Sequence, residues 1–159
     1  MTLGPFFPRE FAKDAADLVR GSSGEVIEIT GVVSELDGNP LDNVILEIWQ
    51  ADAAGRFDNP GFSGWGRAAT DAQGVYRFRT IRPVPYPGRT PHIHVKLRHP
   101  AFGEVTSQLF VIGEPGNPGD FLYRSLGEGD RQEVEMRLQR APAGEAVMWI
   151  AERDLLVGT

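Results

Sequence analysis

The sequence predicts an all-β sandwich with little helix. Three observations carry that expectation. The 19 glycines and 12 prolines are spread along the chain, so they cut it into short segments rather than forming a linker. Several of those segments alternate apolar or β-branched residues with polar ones, the period of a half-buried strand. Sustained helical periodicity is scarce.

The first alternating segment is 25–33 (EVIEITGVV). It runs into Leu36-Asp37-Gly38-Asn39-Pro40, where Asp-Gly favours a tight turn. Residues 43–50 (NVILEIWQ) form a second strand with Val44, Leu46, Ile48 and Gln50 on one face. Asp71-Ala72-Gln73-Gly74 is another turn, followed by a strand at 75–80 (VYRFRT). Strands follow at 92–98 (HIHVKLR) and 104–112, and alternation returns at 131–139 and 145–152. About seven strands between turns is the pattern of a sandwich of immunoglobulin or transthyretin type. Helix is expected only at 11–20, from the spacing of Phe11, Ala15 and Leu18, and as a single turn at 120–126. Residues 1–24 read as an arm and 25–159 as the sandwich domain. The loop 51–66 is long and rich in Gly, Asp and Asn, and such loops on a rigid sandwich carry function.

The totals narrow the function classes. A chain of 159 residues fits one domain with a sizeable core. The formal net charge of −6 argues against nucleic acid as the main partner, because phosphate binding needs a basic face. There is no cysteine, which excludes a disulfide framework, a zinc–thiolate site, an iron–sulfur cluster and a thiol nucleophile together. The start, MTLGPFFPREF, lacks the basic region and apolar run of a signal peptide, and no apolar stretch is long enough for a membrane span. The expected location is cytoplasmic.

The chemistry concentrates in PVPYPGRTPHIHV, residues 83–95. His92 and His94 are two apart in a strand, so both imidazoles leave the same face, as two neighbouring ligands of one metal require. Tyr86 lies six residues before His92, in a proline-flanked loop able to fold back to the same point. Phenolate is a hard anionic ligand whose ionised form needs a strongly charged cation at neutral pH, so two imidazoles and a phenolate favour ferric iron over zinc. The plain alternative is a pair of strand histidines that pack or face water. Arg89 is either a cation beside the metal or a solvated loop arginine. Gln108 is either a site donor or an outer-face polar residue. His99 precedes Pro100 at a strand end and reads as exposed, and Tyr76 reads as core.

These residues, taken in order, resemble the intradiol ring-cleaving dioxygenases, and among them the protocatechuate 3,4-dioxygenase group. The matching segments are TLGPFF at 2–7, LEIWQADAAGR at 46–56, GWGRAATDAQGVYRFRT at 64–80, Tyr86 with Pro91-His92-Ile93-His94, and Ser107-Gln108-Leu109-Phe110. The resemblance implies a β-sandwich with mononuclear non-haem Fe(III), a catechol or dihydroxybenzoate substrate, and O2 inserted between the two hydroxylated carbons. It implies Tyr86, His92 and His94 as metal ligands, Tyr86 being the one that leaves and takes up a substrate proton. It implies Arg89 as the cation that offsets charge on the substrate and Gln108 as a supporting glutamine. Gly4 and Pro5 match an arm that lines the substrate pocket from a partner subunit, which implies a homo-oligomer. One position departs from the family pattern. The second tyrosine ligand follows a Gly-Arg pair, and here Ala54-Gly55-Arg56 is followed by Phe57, a ring without an oxygen. Phe57 then lines the substrate space instead of binding metal. Three outcomes stay open: a working dioxygenase with solvent in the gap, a metal enzyme of altered phenol-oxidising activity, or a non-catalytic subunit or ligand-binding module on the same scaffold.

Overall fold

The computed structural model of the chain describes residues 16–19, 24–51, 64–85 and 88–158. These form ten strands in two sheets: β1 (Val26–Glu35), β2 (Ile45–Trp49), β3 (Trp65–Ala69), β4 (Val75–Ile81), β5 (His92–His99), β6 (Gly103–Val111), β7 (Glu135–Met136), β8 (Leu138–Arg140), β9 (Trp149–Glu152) and β10 (Leu155–Val157). Two short helices, α1 (Phe121–Ser125) and α2 (Glu128–Val134), lie between β6 and β7. The expected sandwich with little helix is therefore what the described residues build.

One sheet runs β3-β2-β5-β6-β7. In the other, β1 pairs with β4, β9 and β10, and β9 pairs with β8. The chain crosses between sheets from β1 to β2 and again from β3 to β4. At the first crossing the Asp37-Gly38 turn closes with the Gly38 amide donating to the Glu35 carbonyl, and Gly38 sits at φ 93°, open to glycine at little cost. Strands β9 and β10 run parallel to β1 with one constant register, Ile27 opposite Trp149 and Val33 opposite Leu155. Gly31 lies between the two paired stretches. A Cβ there would fall 2.0 Å from the Arg153 carbonyl oxygen, so only glycine lets the C-terminal segment lie this close.

Alternation decides which side chains meet. Ile27, Ile29 and Val33 of β1 and Tyr76 and Phe78 of β4 face Leu46 and Ile48 of β2, Ile93, Val95 and Leu97 of β5, and Leu109 and Val111 of β6 in one buried cluster. Burying each large aliphatic side chain contributes roughly 1.5–3 kcal/mol, which makes this layer the main source of stability. Gln50, on the face its parity assigns, and Thr80 are buried polar residues in this layer. The Gln50 amide donates to the Ile81 carbonyl and its oxygen accepts from Thr80, bridging the two sheets at full satisfaction. Tyr76 is core, as expected, and its hydroxyl donates to the Arg153 carbonyl at 2.5 Å.

Four features differ from the sequence reading. Strand β3 is an addition, because Trp65-Gly66-Arg67-Ala68-Ala69 carries too little alternation to read as a strand by itself. The segment 131–139 begins as helix α2 rather than strand, and only Glu135–Met136 and Leu138–Arg140 pair in sheets. Acidic Glu128 and Asp130 in its first turn favour the helix electrostatically. The last segment starts pairing at Trp149, not at 145. Of the helix expected at 11–20, the described residues 16–19 hold none: Asp17 bridges to Arg79, and Leu18 is buried in the core. The helical turn expected at 120–126 is α1.

Candidate metal centre

The sheet β3-β2-β5-β6-β7 has two faces. Ile93, Val95 and Leu97 point into the sandwich, so His92 and His94 point out of it. Cross-strand register then fixes their neighbours. His94 lies opposite Trp49 on β2 and opposite Gln108 on β6, and His92 lies opposite Phe110 on β6. Neither histidine is exposed: each retains 4% of its surface.

The two rings converge. Their Nε2 atoms are 3.2 Å apart, with ring centroids 4.8 Å apart and planes at 73°. His92 Nδ1 lies 2.8 Å from the Thr90 carbonyl oxygen. A carbonyl only accepts, so Nδ1 carries the proton and the Nε2 lone pair is left for a partner. His94 is held by a parallel stack on Trp49, 4.9 Å between centroids and 6° between planes. Burial pushes the His92 pKa down to about 4; the Arg89 charge adds to this, while the Thr90 carbonyl and Asp120 oppose it. Burial, then His92 and Arg89, push His94 down to about 3. Both imidazoles are neutral at physiological pH, the form that binds metal.

Arg89 closes one side. Its Nε donates to Asp120 Oδ2 at 2.8 Å and its Nη2 to Gln108 Oε1 at 2.5 Å. Its Nη1 is 3.5 Å from His92 Nε2. The ring of Phe121 lies over the guanidinium at 5.3 Å. Gln108 spans the arginine and the histidines, since its Nε2 is also 3.4 Å from His94 Nδ1. Asp120 is fully buried. Burial by itself pushes its carboxyl up, but hydrogen bonds from Arg89 and the Tyr123 and Thr90 amides, with the guanidinium charge, hold it below the usual carboxylate range. Thr90 is pinned by its hydroxyl to Asn117 Oδ1 at 2.7 Å, and Asn117 donates to the Val111 carbonyl. The loop before β5 is thus tied to the loop after β6 by buried polar bonds.

The donor set fits a metal. A 3.2 Å separation suits adjacent ligands each about 2.1 Å from one ion. Among the described residues no third His, Asp or Glu joins the pair as a metal cluster. A guanidinium nitrogen beside the same point makes the locality cationic once an ion is bound, so the remaining positions favour anionic oxygen.

Comparison with known proteins bears on this arrangement. A family model described as dioxygenase matches residues 3–149. The beta chain of protocatechuate 3,4-dioxygenase from Burkholderia cepacia is 37% identical over 132 residues, covering 72% of this chain and 56% of that protein. The chain belongs to the intradiol ring-cleavage dioxygenase family. Hydroxyquinol 1,2-dioxygenase from Corynebacterium glutamicum is 31% identical over 136 residues, covering 70% of this chain and 45% of that protein. The chain thus spans about half the length of these curated relatives. The dioxygenase domain of a dioxygenase carbohydrate-binding protein fusion from Streptomyces sp. SirexAA-E superposes with a TM-score of 0.85 at 32% identity, covering 100% of this chain and 96% of that one. At 23% identity, 3-chlorocatechol 1,2-dioxygenase from Rhodococcus opacus 1CP shares the fold with a TM-score of 0.85, covering 99% of this chain and 71% of that one.

Of the residues singled out in this family member's sequence, His92, His94, Arg89 and Gln108 come together. Tyr86, Phe57, Gly4 and Pro5 lie outside the described residues. His99 is half-buried rather than exposed, with Phe102 stacked on its ring. Sequence reasoning missed Trp49, Thr90 and Asp120. Trp49 and Gln108 become neighbours of His94 only through strand register. Asp120 was legible as the first residue of the helical turn expected at 120–126, but not as a partner of Arg89. No described helix is long and apolar enough to cross a membrane.

Proposed function

We propose that this chain holds non-haem Fe(III) at His92, His94 and Tyr86 and cleaves the ring of a catechol or dihydroxybenzoate between its two hydroxylated carbons. One observation carries the reading: two neutral, buried imidazoles aim Nε2 at a common point beside a cation that Gln108 and Asp120 hold in place. A permanent cation beside two neutral ligands favours an anionic guest, and a deprotonated catechol is one. Ferric iron held by these residues would supply electron withdrawal from a bound catecholate, the activation that would let a ring carbon react with O2. Both oxygen atoms enter the product, which is a cis,cis-muconate-type diacid.

The chain's own residues have distinct tasks in this reading. Thr90 fixes the His92 tautomer, and Trp49 fixes the plane of His94. Arg89 Nη1 faces the substrate side and offsets its negative charge. Gln108 accepts from that guanidinium and lies 3.4 Å from His94 Nδ1, so it keeps the substrate cation beside the metal ligand. Tyr86 is the ligand that gives way to substrate and accepts its proton. Phe57 stands where the family places a second phenolate. The site has one fewer anionic ligand for it and holds ferric iron less firmly than a two-tyrosine site. Gly4 and Pro5, in an arm at 1–24, line the substrate space of a neighbouring copy in a homo-oligomer.

Reconstitution with iron tests this. The iron-loaded chain is expected to absorb visible light through its phenolate, to change colour with catechol, and to consume one O2 per catechol. Phe57→Tyr is expected to raise iron retention. A colourless chain that neither keeps iron nor takes up oxygen with any catechol would contradict the reading.

A further inference from the structure

We propose that Asp120 is the positioning residue that sets where the Arg89 guanidinium lies beside His92 and His94. The inference rests on the reading of this site as a catechol-binding iron centre and adds to it a residue 31 positions from Arg89 in the chain.

Asp120 is the N-cap of α1, and a cap needs only one of its oxygens. Oδ1 does that work, accepting from the amides of Leu122 and Tyr123 at 3.0 Å each. Oδ2 does something else. It accepts from Arg89 Nε at 2.8 Å and from the Thr90 amide at 2.9 Å. A carboxylate has about four acceptor sites, and here all four are used by donors from helix α1 and from the loop before β5. With no exposed surface and every lone pair directed, the carboxylate cannot turn. The fork of Arg89 is therefore fixed at its root. Gln108 takes Nη2, Phe121 covers one face of the plane, and the arginine side chain keeps only 10% of its surface exposed. Nη1 is the end that faces His92 Nε2. A loop arginine left to itself samples many rotamers and loses entropy when it is ordered. The Asp120 grip imposes that order before any substrate arrives.

The same carboxylate that orders Arg89 also holds Thr90, whose carbonyl orients His92. Thr90 is also held independently, its hydroxyl donating to Asn117 Oδ1 at 2.7 Å, so Arg89 is the group that depends on Asp120. Displacing a charged group by about 1 Å costs on the order of 100-fold in rate, so its loss is felt in turnover although it touches neither substrate nor metal.

Asp120→Asn separates the two jobs. The amide oxygen keeps the cap, while its NH2 group faces Arg89 Nε and the Thr90 amide, donor against donors. In the iron-loaded full chain, kcat/KM for catechol is expected to fall about 10- to 100-fold in Asp120→Asn and at least as far in Arg89→Gln. The double variant is expected to be no worse than Arg89→Gln within about threefold, because a residue that acts through Arg89 has nothing left to position. Wild-type turnover in Asp120→Asn, or losses that multiply in the double variant, would overturn the proposal. A second readout needs no iron. By 15N NMR of the metal-free chain, the Arg89 Nε–H is expected to exchange with water at least about 10-fold more slowly than that of exposed Arg124, and Asp120→Asn is expected to abolish the difference. Fast exchange of Arg89 in the wild type would refute positioning even if the variant failed to fold. Slow exchange in a chain whose iron-loaded form ignores catechol would instead refute the catechol reading and leave the positioning intact.

Discussion

The two faces of strand β5 make opposite use of one stretch of backbone. Ile93, Val95 and Leu97 enter a core where the requirement is volume and apolarity. His92 and His94, one residue out of phase, enter a layer just as dry, but each is held by directed contacts: a carbonyl on Nδ1, an indole face, a glutamine, a guanidinium. The first face supplies stability and the second consumes some of it, because each buried imidazole has been taken out of water. Burial alone therefore does not distinguish core from site. The direction of the polar contacts does.

Alanine at each face is the sharpest way to break that comparison. His92→Ala is expected to lower iron affinity more than 100-fold, beyond the loss typical of a supporting residue, while leaving thermal stability close to wild type. Equilibrium dialysis with iron and a thermal melt check both halves. Ile93→Ala is expected to do the reverse, costing about 2–5 kcal/mol of stability by urea titration while the folded fraction still binds iron. If the histidine variant lost more stability than the isoleucine variant, the division of labour between faces would be wrong.

The acid response of the metal-free chain sharpens it further. Both histidines have folded-state pKa values, about 4 and about 3, below the ordinary 6.5. As pH falls below 6.5, protons bind the unfolded chain first. Their neutral burial is tolerated fully above that pH, costs stability progressively as pH drops toward 4 and 3, and adds no further loss below. Each contributes a slope of up to roughly 1.4 kcal/mol per pH unit in that window. Urea midpoints taken near pH 7 and near pH 5 are expected to differ, and His94→Gln to remove about half of the difference. The smallest effect belongs to exposed Glu104, whose 3.6 Å pair with Lys96 lies on the same outer face away from the histidines. Glu104→Gln is expected to change stability by less than about 0.5 kcal/mol and to leave iron binding unaltered.

Much of the fold was legible because alternation is a local signal. β1 and β4 bury mainly one parity, β2 and β5 bury both over much of their length, and in β5 the H-x-H pair takes the parity opposite Ile93, Val95 and Leu97. What escaped depended on pairing partners. Trp65–Ala69 becomes a strand because β2 offers it an edge, with Trp49 opposite Trp65. The segment expected as strand from 131 is carried first by the helix begun at Gly127. In the site, the sequence allows Arg89 and Gln108 to be solvated or outer-face residues, and register decides: His94 opposite Gln108 puts the amide at the histidine pair and, through it, at Arg89. Asp120 could not be read in advance, because an N-cap and an arginine clamp ask the sequence for the same residue.

Iron X-ray absorption on the reconstituted chain tests the central claim most directly. The account predicts the multiple-scattering pattern of two imidazoles at about 2.1 Å, falling to one in His92→Ala or His94→Ala. An iron edge without imidazole scattering, or one unchanged in both variants, would contradict it.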